Sequence, residues 1–128
     1  MRKLAFTLSL LAFISCKKEE ETKEALYPEK TISAEEKQLQ LGQEIFDGKG
    51  MCFSCHKPDQ KVIGPSVKQI AEIYKAKNAD MKLFLQEKSE PIVDPSQYSV
   101  MKANLTITKT FTDEELKAVE AYFYSHLK

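Results

Sequence analysis

The sequence predicts a single all-α domain of about four helices, and three observations lead to that prediction. Two segments begin with a capping box and continue with apolar residues at helical spacing. No segment shows the alternation of apolar and polar residues that is typical of a strand. The chain has 128 residues, of which 42% are hydrophobic and 30% charged, as is ordinary for one soluble globular domain. We place that domain at residues 31–128.

The first helix is predicted within TISAEEKQLQLGQEIFDGKG, at residues 31–50. Ser33 and Glu36 have the spacing of a capping box. The residues that recur every three to four positions after the box are Leu39, Gly42, Gln43 and Phe46. Gly48 and Gly50 follow and are expected to end the helix.

Two shorter helices are predicted next, in SVKQIAEIYKAK at residues 66–77 and in NADMKLFLQEK at residues 78–88. Pro91 closes the second of them, because a proline disfavours helical geometry in the residue before it.

The last helix is predicted at the C-terminus, within TFTDEELKAVEAYFYSHLK. Thr112 and Glu115 form its capping box. Its apolar stripe consists of Leu116, Val119, Tyr122 or Phe123, and Leu127.

Residues 1–15 are predicted to be a signal peptide. Arg2 and Lys3 precede an apolar run of eleven residues, and the small residue Ser15 follows that run. Eleven apolar residues are too few for a transmembrane helix, which needs about 20. The mature chain is therefore expected to be exported.

The segment FISC, at residues 13–16, resembles the lipobox of bacterial lipoproteins, in which the cysteine becomes the lipidated first residue. We therefore predict lipidation of Cys16; the alternative is ordinary cleavage beside an unmodified cysteine. Residues 16–30 are then a flexible tether, because they are mostly charged and have too few apolar side chains to offset the entropy of ordering.

The charge balance argues against nucleic acid as a partner. Lys and Arg total 19 residues and Asp and Glu also total 19, so the formal net charge is zero. Such a chain has no overall field that would attract a polyanion.

Residues 52–56 read Cys-Phe-Ser-Cys-His, the C-x-x-C-H pattern by which c-type haem is attached. Cys52 and Cys55 lie on one side of a helical turn, so their sulfurs can form thioethers with the two vinyl groups along one haem edge. The next residue, His56, is then placed beneath the iron as an axial ligand.

Three other interpretations of these residues remain. A redox-active dithiol needs a βαβ setting, which the helical neighbourhood does not supply. A structural zinc site would need a fourth ligand, and His126 is the only other histidine. A disulfide between Cys52 and Cys55 would not explain why a histidine directly follows the second cysteine.

Together these residues resemble class I cytochromes c, in particular the small bacterial monohaem cytochromes. The resemblance covers residues 33–128 and rests on GQEIFDGKGMCFSCH, IGPSVKQIAEIY and AYF. It implies a cytochrome c fold whose N- and C-terminal helices cross, with about four helices wrapped around one covalent haem. In such a fold Tyr122 and Val119 lie over Gly42, and the carbonyl of Pro65 accepts a hydrogen bond from His56.

Met101 is predicted to be the sixth ligand of the iron. It is expected in a loop after Pro95, where a backbone can fold over a haem face, and MKAN at residues 101–104 resembles the Met-x-x-Asn of the family. Met81 is the alternative, although its helical spacing with apolar neighbours is more usual for a core methionine.

A haem with both axial positions filled can only take or give one electron. The sequence therefore predicts an electron-transfer protein with no catalytic residues. The alternatives are a haem enzyme or gas-binding sensor with a labile sixth ligand, and a haem-bearing subunit of a larger oxidase or dehydrogenase complex.

The expected partners are redox proteins, such as an oxidase, a reductase or a dehydrogenase, and the membrane through the lipidated Cys16. The protein is expected to be a monomeric lipoprotein of the bacterial cell envelope, anchored in a membrane and facing the periplasm or the outer surface. Four lysines flank the haem motif or Met101 and are expected to form a positive rim: Lys49, Lys57, Lys61 and Lys102.

Overall fold

The structure is a computed structural model that describes residues 32–128. Three predictions concern earlier residues and lie outside that range: the signal peptide at 1–15, the tether at 16–30 and the lipidation of Cys16.

The described residues form five α-helices and no strand, so the predicted all-α class is confirmed. The helices are α1 (Ala34–Asp47), α2 (Val67–Ala76), α3 (Met81–Leu85), α4 (Tyr98–Thr108) and α5 (Asp113–Ser125). Two 3-10 turns, Cys52–Ser54 and Pro95–Gln97, lie between them.

Both predicted capping boxes are present. The backbone amide of Glu36 donates to the Ser33 hydroxyl at 3.1 Å, and the Ser33 amide donates to the Glu36 carboxylate at 2.8 Å. At the start of α5 the amide of Glu115 donates to the Thr112 hydroxyl at 3.3 Å, and the Thr112 amide donates to the Glu115 carboxylate at 2.9 Å. Each cap contributes about 1 kcal/mol to stability, which explains why these two helices begin where the sequence predicts.

The helix α4 was not predicted, and the expectation of a loop around Met101 is wrong. Its first residue follows Gln97, which makes no capping hydrogen bond through its side chain. Four of its eleven residues are β-branched, a composition with modest helix propensity: Val100, Thr106, Ile107 and Thr108. Neither a start signal nor propensity therefore marks this helix in the sequence.

The most extensive helix pair is α1 with α5, and Gly42 lies at its closest point. A Cβ atom at Gly42 would be 2.1 Å from the carbonyl oxygen of Ala118 and 2.7 Å from the Cβ of Tyr122. The predicted contact of Gly42 with Tyr122 is thus present, whereas Val119 is buried in the core and Ala118 is the nearest backbone. The Phe46 ring adds an aromatic contact with Tyr122, at a centroid distance of 5.2 Å.

The helices α2 and α3 end in the same backbone motif. After α2, the amides of Asn78 and Ala79 donate to the carbonyls of Lys75 and Tyr74, and Asn78 has a φ of 48°. This is the Schellman arrangement, in which the residue with positive φ is usually glycine or asparagine.

After α3 the same position is occupied by Glu87, with a φ of 58°. The amides of Glu87 and Lys88 donate to the carbonyls of Phe84 and Leu83. A left-handed conformation costs a residue of this kind about 1 to 2 kcal/mol.

No helix within residues 32–128 has the length and apolar character needed to cross a bilayer.

The packing at Gly42 leads to the first prediction. Helix propensity alone would make Gly42→Ala stabilising by about 1 kcal/mol. Because the new methyl group would meet the fixed carbonyl of Ala118, we expect a net loss of about 1 to 3 kcal/mol or more in the free energy of unfolding. Chemical denaturation of both proteins measures the difference.

The matched control is Gln43→Ala, an exposed position on the same helix, which should change stability by less than about 0.5 kcal/mol. A Gly42→Ala protein as stable as the parent would contradict this account of the α1 and α5 contact.

Candidate functional site

A mostly apolar cleft of about 1110 Å³, part of it open to solvent, lies among the helices. The five residues predicted to hold a cofactor in the domain all line it: Cys52, Cys55, His56, Pro65 and Met101. Ligand sites are usually clefts that are lined mostly by apolar and aromatic side chains, with a few polar groups among them. The cleft is therefore the candidate site.

The cysteine motif begins with a left-handed residue and a 3-10 turn. Met51 has a φ of 51°, and the turn covers Cys52–Ser54. The amides of Cys55 and His56 both donate to the carbonyl of Cys52, at 3.1 and 3.0 Å. Side chains three residues apart eclipse one another in an ideal 3-10 turn. Cys52 begins this turn, Cys55 follows it, and both residues line the cleft.

Both cysteines are partly buried free thiols. Burial raises the pKa of Cys52 to about 11, so this thiol stays protonated at neutral pH. Reactive dithiols have lowered pKa values, and this environment does the opposite. Within residues 32–128, no three side chains of His, Cys, Asp or Glu are grouped so that they could hold a metal ion by themselves.

The imidazole of His56 is held by the backbone of Pro65, as the sequence predicts. Its Nδ1 lies 2.7 Å from the Pro65 carbonyl oxygen. Because a carbonyl can only accept, the proton is on Nδ1 and the lone pair on Nε2 is left for a metal. Burial lowers the pKa of His56, and the bond to Pro65 opposes that shift, so the ring is neutral at pH 7.

Gly64 supplies the space for this ring, a role that the sequence did not reveal. A Cβ atom there would lie 2.5 Å from Cε1 and 2.9 Å from Nδ1 of His56. The amide of Gly64 also donates to the carbonyl of Cys55 at 2.9 Å, which ties the loop to the motif. In the sequence Gly64 is only a glycine before a proline, which is ordinary in a turn.

Met81 and Met101 both line the cleft, from different helices. Met81 begins α3 and is 2% exposed within the core, in keeping with a packing role. Met101 is the fourth residue of α4, at the end of its first turn, and is partly exposed. A thioether there is a soft ligand for iron.

Hydrogen-bonding side chains gather near Met101. Tyr98 and Asn104, which belong to the same helix, line the cleft with it, as does Asp94 from the preceding segment. The sequence does not single out Tyr98 and Asn104, because polar residues are usually solvated when they lie in a loop. Their placement depends on α4, which the sequence did not indicate.

Three of the four lysines of the expected positive rim are in ion pairs. Lys49 pairs with Glu115, Lys61 with Asp94 at 3.4 Å, and Lys102 with Glu87 at 3.2 Å. Lys57 instead lies over the ring of Phe53, at 5.7 Å from its centroid. The surface therefore offers an acidic partner less uncompensated charge than the sequence predicts.

Comparison with known protein families gives a match. The sequence model of a family described as cytochrome c matches residues 39–126, which include the cysteine motif. Among curated proteins, none matches the chain.

The contact between Gly64 and His56 leads to the second prediction. In Gly64→Ala the methyl group would displace the imidazole, at a cost of about 1 to 3 kcal/mol in stability. We expect the hydrogen-bonded Nδ1–H resonance of His56 to weaken or shift in NMR spectra of the reduced protein. The fraction of purified chains that carry haem should also fall.

Val62→Ala changes an exposed residue of the same loop and serves as the control, with the His56 resonance expected to be unchanged. An undisturbed resonance in Gly64→Ala would show that the ring does not depend on this space.

Proposed function

The chain belongs to the cytochrome c family, and from that premise we propose that it is a one-electron carrier whose iron is bound by His56 and Met101. Proteins of this family bind covalent haem c, and one haem is typical of a domain of this size.

The residues of the cleft fit such a group. Two cysteines at the start and the end of one 3-10 turn both line the cleft, which suits thioether bonds along one haem edge. The neutral His56 offers its Nε2 lone pair. The mostly apolar walls would receive a flat, largely apolar ring system.

The observation that carries the proposal is that His56 and Met101 line the same apolar cleft, one from the cysteine motif and one from α4. When bound, haem supplies a one-electron couple between ferric and ferrous iron. A sulfur of Met101 in the sixth position would stabilise the ferrous state and leave no site for a substrate. The hydrogen bond from His56 to Pro65 fixes the ring plane and raises the basicity of the proximal ligand.

The cell envelope is the proposed location. The support comes from the signal peptide and lipidated Cys16 predicted for the N-terminal residues, and from the general export of cytochrome c domains. A lipid anchor in a membrane would keep the domain close to membrane-bound redox proteins, and we assign its partners to that class: an oxidase, a reductase or a dehydrogenase. In this setting the protein relays single electrons between its partners and binds no substrate at its own iron.

The third prediction tests the sixth ligand. In Met101→Ala the far-red sulfur-to-iron charge-transfer band of the oxidised protein should disappear, the reduction potential should fall, and the reduced protein should bind carbon monoxide readily. Absorption spectra, redox titration and carbon monoxide binding measure these changes.

Met81→Ala is the matched control. It should lose about 2 to 5 kcal/mol of stability, because Met81 is buried, but keep the charge-transfer band. If the band survives in Met101→Ala and vanishes in Met81→Ala, the ligand assignment is wrong. If the parent protein already binds carbon monoxide readily, the sixth position is labile and a sensor or enzyme replaces the carrier.

The fourth prediction concerns Cys16. One acyl chain gives only marginal membrane binding, whereas the several chains of a lipoprotein anchor stably. Cys16→Ala should therefore move haem-loaded protein from the membrane fraction to the soluble fraction, as measured by its absorption spectrum. The parent protein, purified from membranes, should bring its redox partner with it. An unmodified N-terminus downstream of Cys16 in intact-mass spectra would rule out the anchor.

A further inference from the structure

The conformation of Glu87 is unusual for its residue type. Glu87 follows α3 in the left-handed position of a Schellman motif, with a φ of 58°. The equivalent position after α2 holds Asn78, which tolerates that conformation better. A glutamate in a conformation that its backbone disfavours points to a role for its side chain.

The side chain of Glu87 reaches α4. One carboxylate oxygen lies 3.2 Å from Nζ of Lys102, and the other lies 2.5 Å from Nζ of Lys109. These lysines are seven residues apart, about two helical turns, so they lie on the same face of the helix. Hydrogen bonds from the two ammonium groups, of which that from Lys109 has the larger effect, hold the pKa of the Glu87 carboxyl below its usual range. The carboxyl is therefore ionised at neutral pH.

The helix α4 is joined to the rest of the domain mainly through side chains, among them Tyr98, whose ring lies 6.2 Å from that of Phe84 in α3. Within residues 32–128 it is the one α-helix without an extensive backbone contact to another helix, and its main neighbour is the 3-10 turn before it. Leu105 anchors it in the core, and the Thr108 hydroxyl donates to the carbonyl of Leu85 at 2.5 Å. Thr108 and Glu87 thus both tie α4 to the C-terminal end of α3.

We infer that Glu87 is a positioning residue that holds α4 through Lys102 and Lys109, and so keeps the sulfur of Met101 on the haem iron. This inference rests on the proposed function, in which Met101 is the sixth ligand. Lys102 is the next residue after Met101, so the tether acts at the point of the helix where the ligand lies.

The consequence is an equilibrium between states with Met101 bound and unbound. A tether present only in the bound state shifts that equilibrium by its own free energy. Two exposed ion pairs together change an equilibrium constant by roughly two- to thirty-fold. Because ion pairs between exposed groups are screened by salt, the unbound fraction of the parent protein rises with ionic strength.

The deciding variant is Glu87→Asn in the haem-loaded protein. Asparagine suits the left-handed position, so thermal stability should stay the same or rise, whereas both ion pairs are lost. The reduced protein should bind carbon monoxide about two to thirty times faster, and the oxidised protein should show a weaker charge-transfer band. A residue with only a structural role would not separate ligation from stability in this way.

Glu120→Gln is the matched control. Glu120 pairs with Lys82 at 3.2 Å and therefore joins α5 to α3 without involving α4. It makes the same change of charge, and carbon monoxide binding should remain that of the parent protein. Lys102→Gln and Lys109→Gln should each give a part of the effect of Glu87→Asn, and added salt should accelerate binding in the parent but not in Glu87→Asn.

Two results would overturn the inference. The first leaves the proposed function intact, and the second also refutes the assignment of Met101 as the sixth ligand. If Met101→Ala opens the iron to carbon monoxide but Glu87→Asn binds it at the parental rate, Glu87 does not position the ligand, and the proposed function stands. If Met101→Ala leaves both the band and carbon monoxide binding unchanged, the ligand assignment fails and the inference fails with it.

Discussion

The close approach of α1 to α5 at Gly42 is the contact on which the rest of the structure depends. The glycine lets the backbone of Ala118 and the side chain of Tyr122 come nearer than any side chain would allow. α2 and α3 pack on α5 as well, so α5 serves as the common support. With these helices fixed on one side, the cysteine motif and α4 can border a cleft instead of a closed core.

The parts of the fold predicted from the sequence are those that short stretches of chain decide. Capping boxes at Ser33 and Thr112 act within four residues, and both helices begin there. The start of α4 has no such signal, and its position depends on long-range contacts such as Thr108 with Leu85, which no local pattern encodes. This is the physical reason that α4 was missed and that Met101 was placed in a loop.

The site divides in the same way. The C-x-x-C-H spacing predicts the roles of Cys52, Cys55 and His56. The family resemblance predicts the hydrogen bond from His56 to Pro65, which lies nine residues later. Gly64 matters only because of where the imidazole lies in space, and a glycine beside a proline is ordinary in a turn. The ion pairs of the lysines likewise depend on carboxylates far away in sequence, so composition alone overstated the free positive charge.

The 3-10 turn at Cys52–Ser54 limits how the motif can vary. Successive residues of such a turn are rotated by about 120° around its axis, so a spacer of two residues returns the second sulfur to the angle of the first. A spacer of one or three residues would rotate the second sulfur by a third of a revolution. It would then point away from a haem edge that faces the first sulfur. The number of residues between the cysteines is therefore an angular requirement, while the identities of Phe53 and Ser54, both exposed, are open to change.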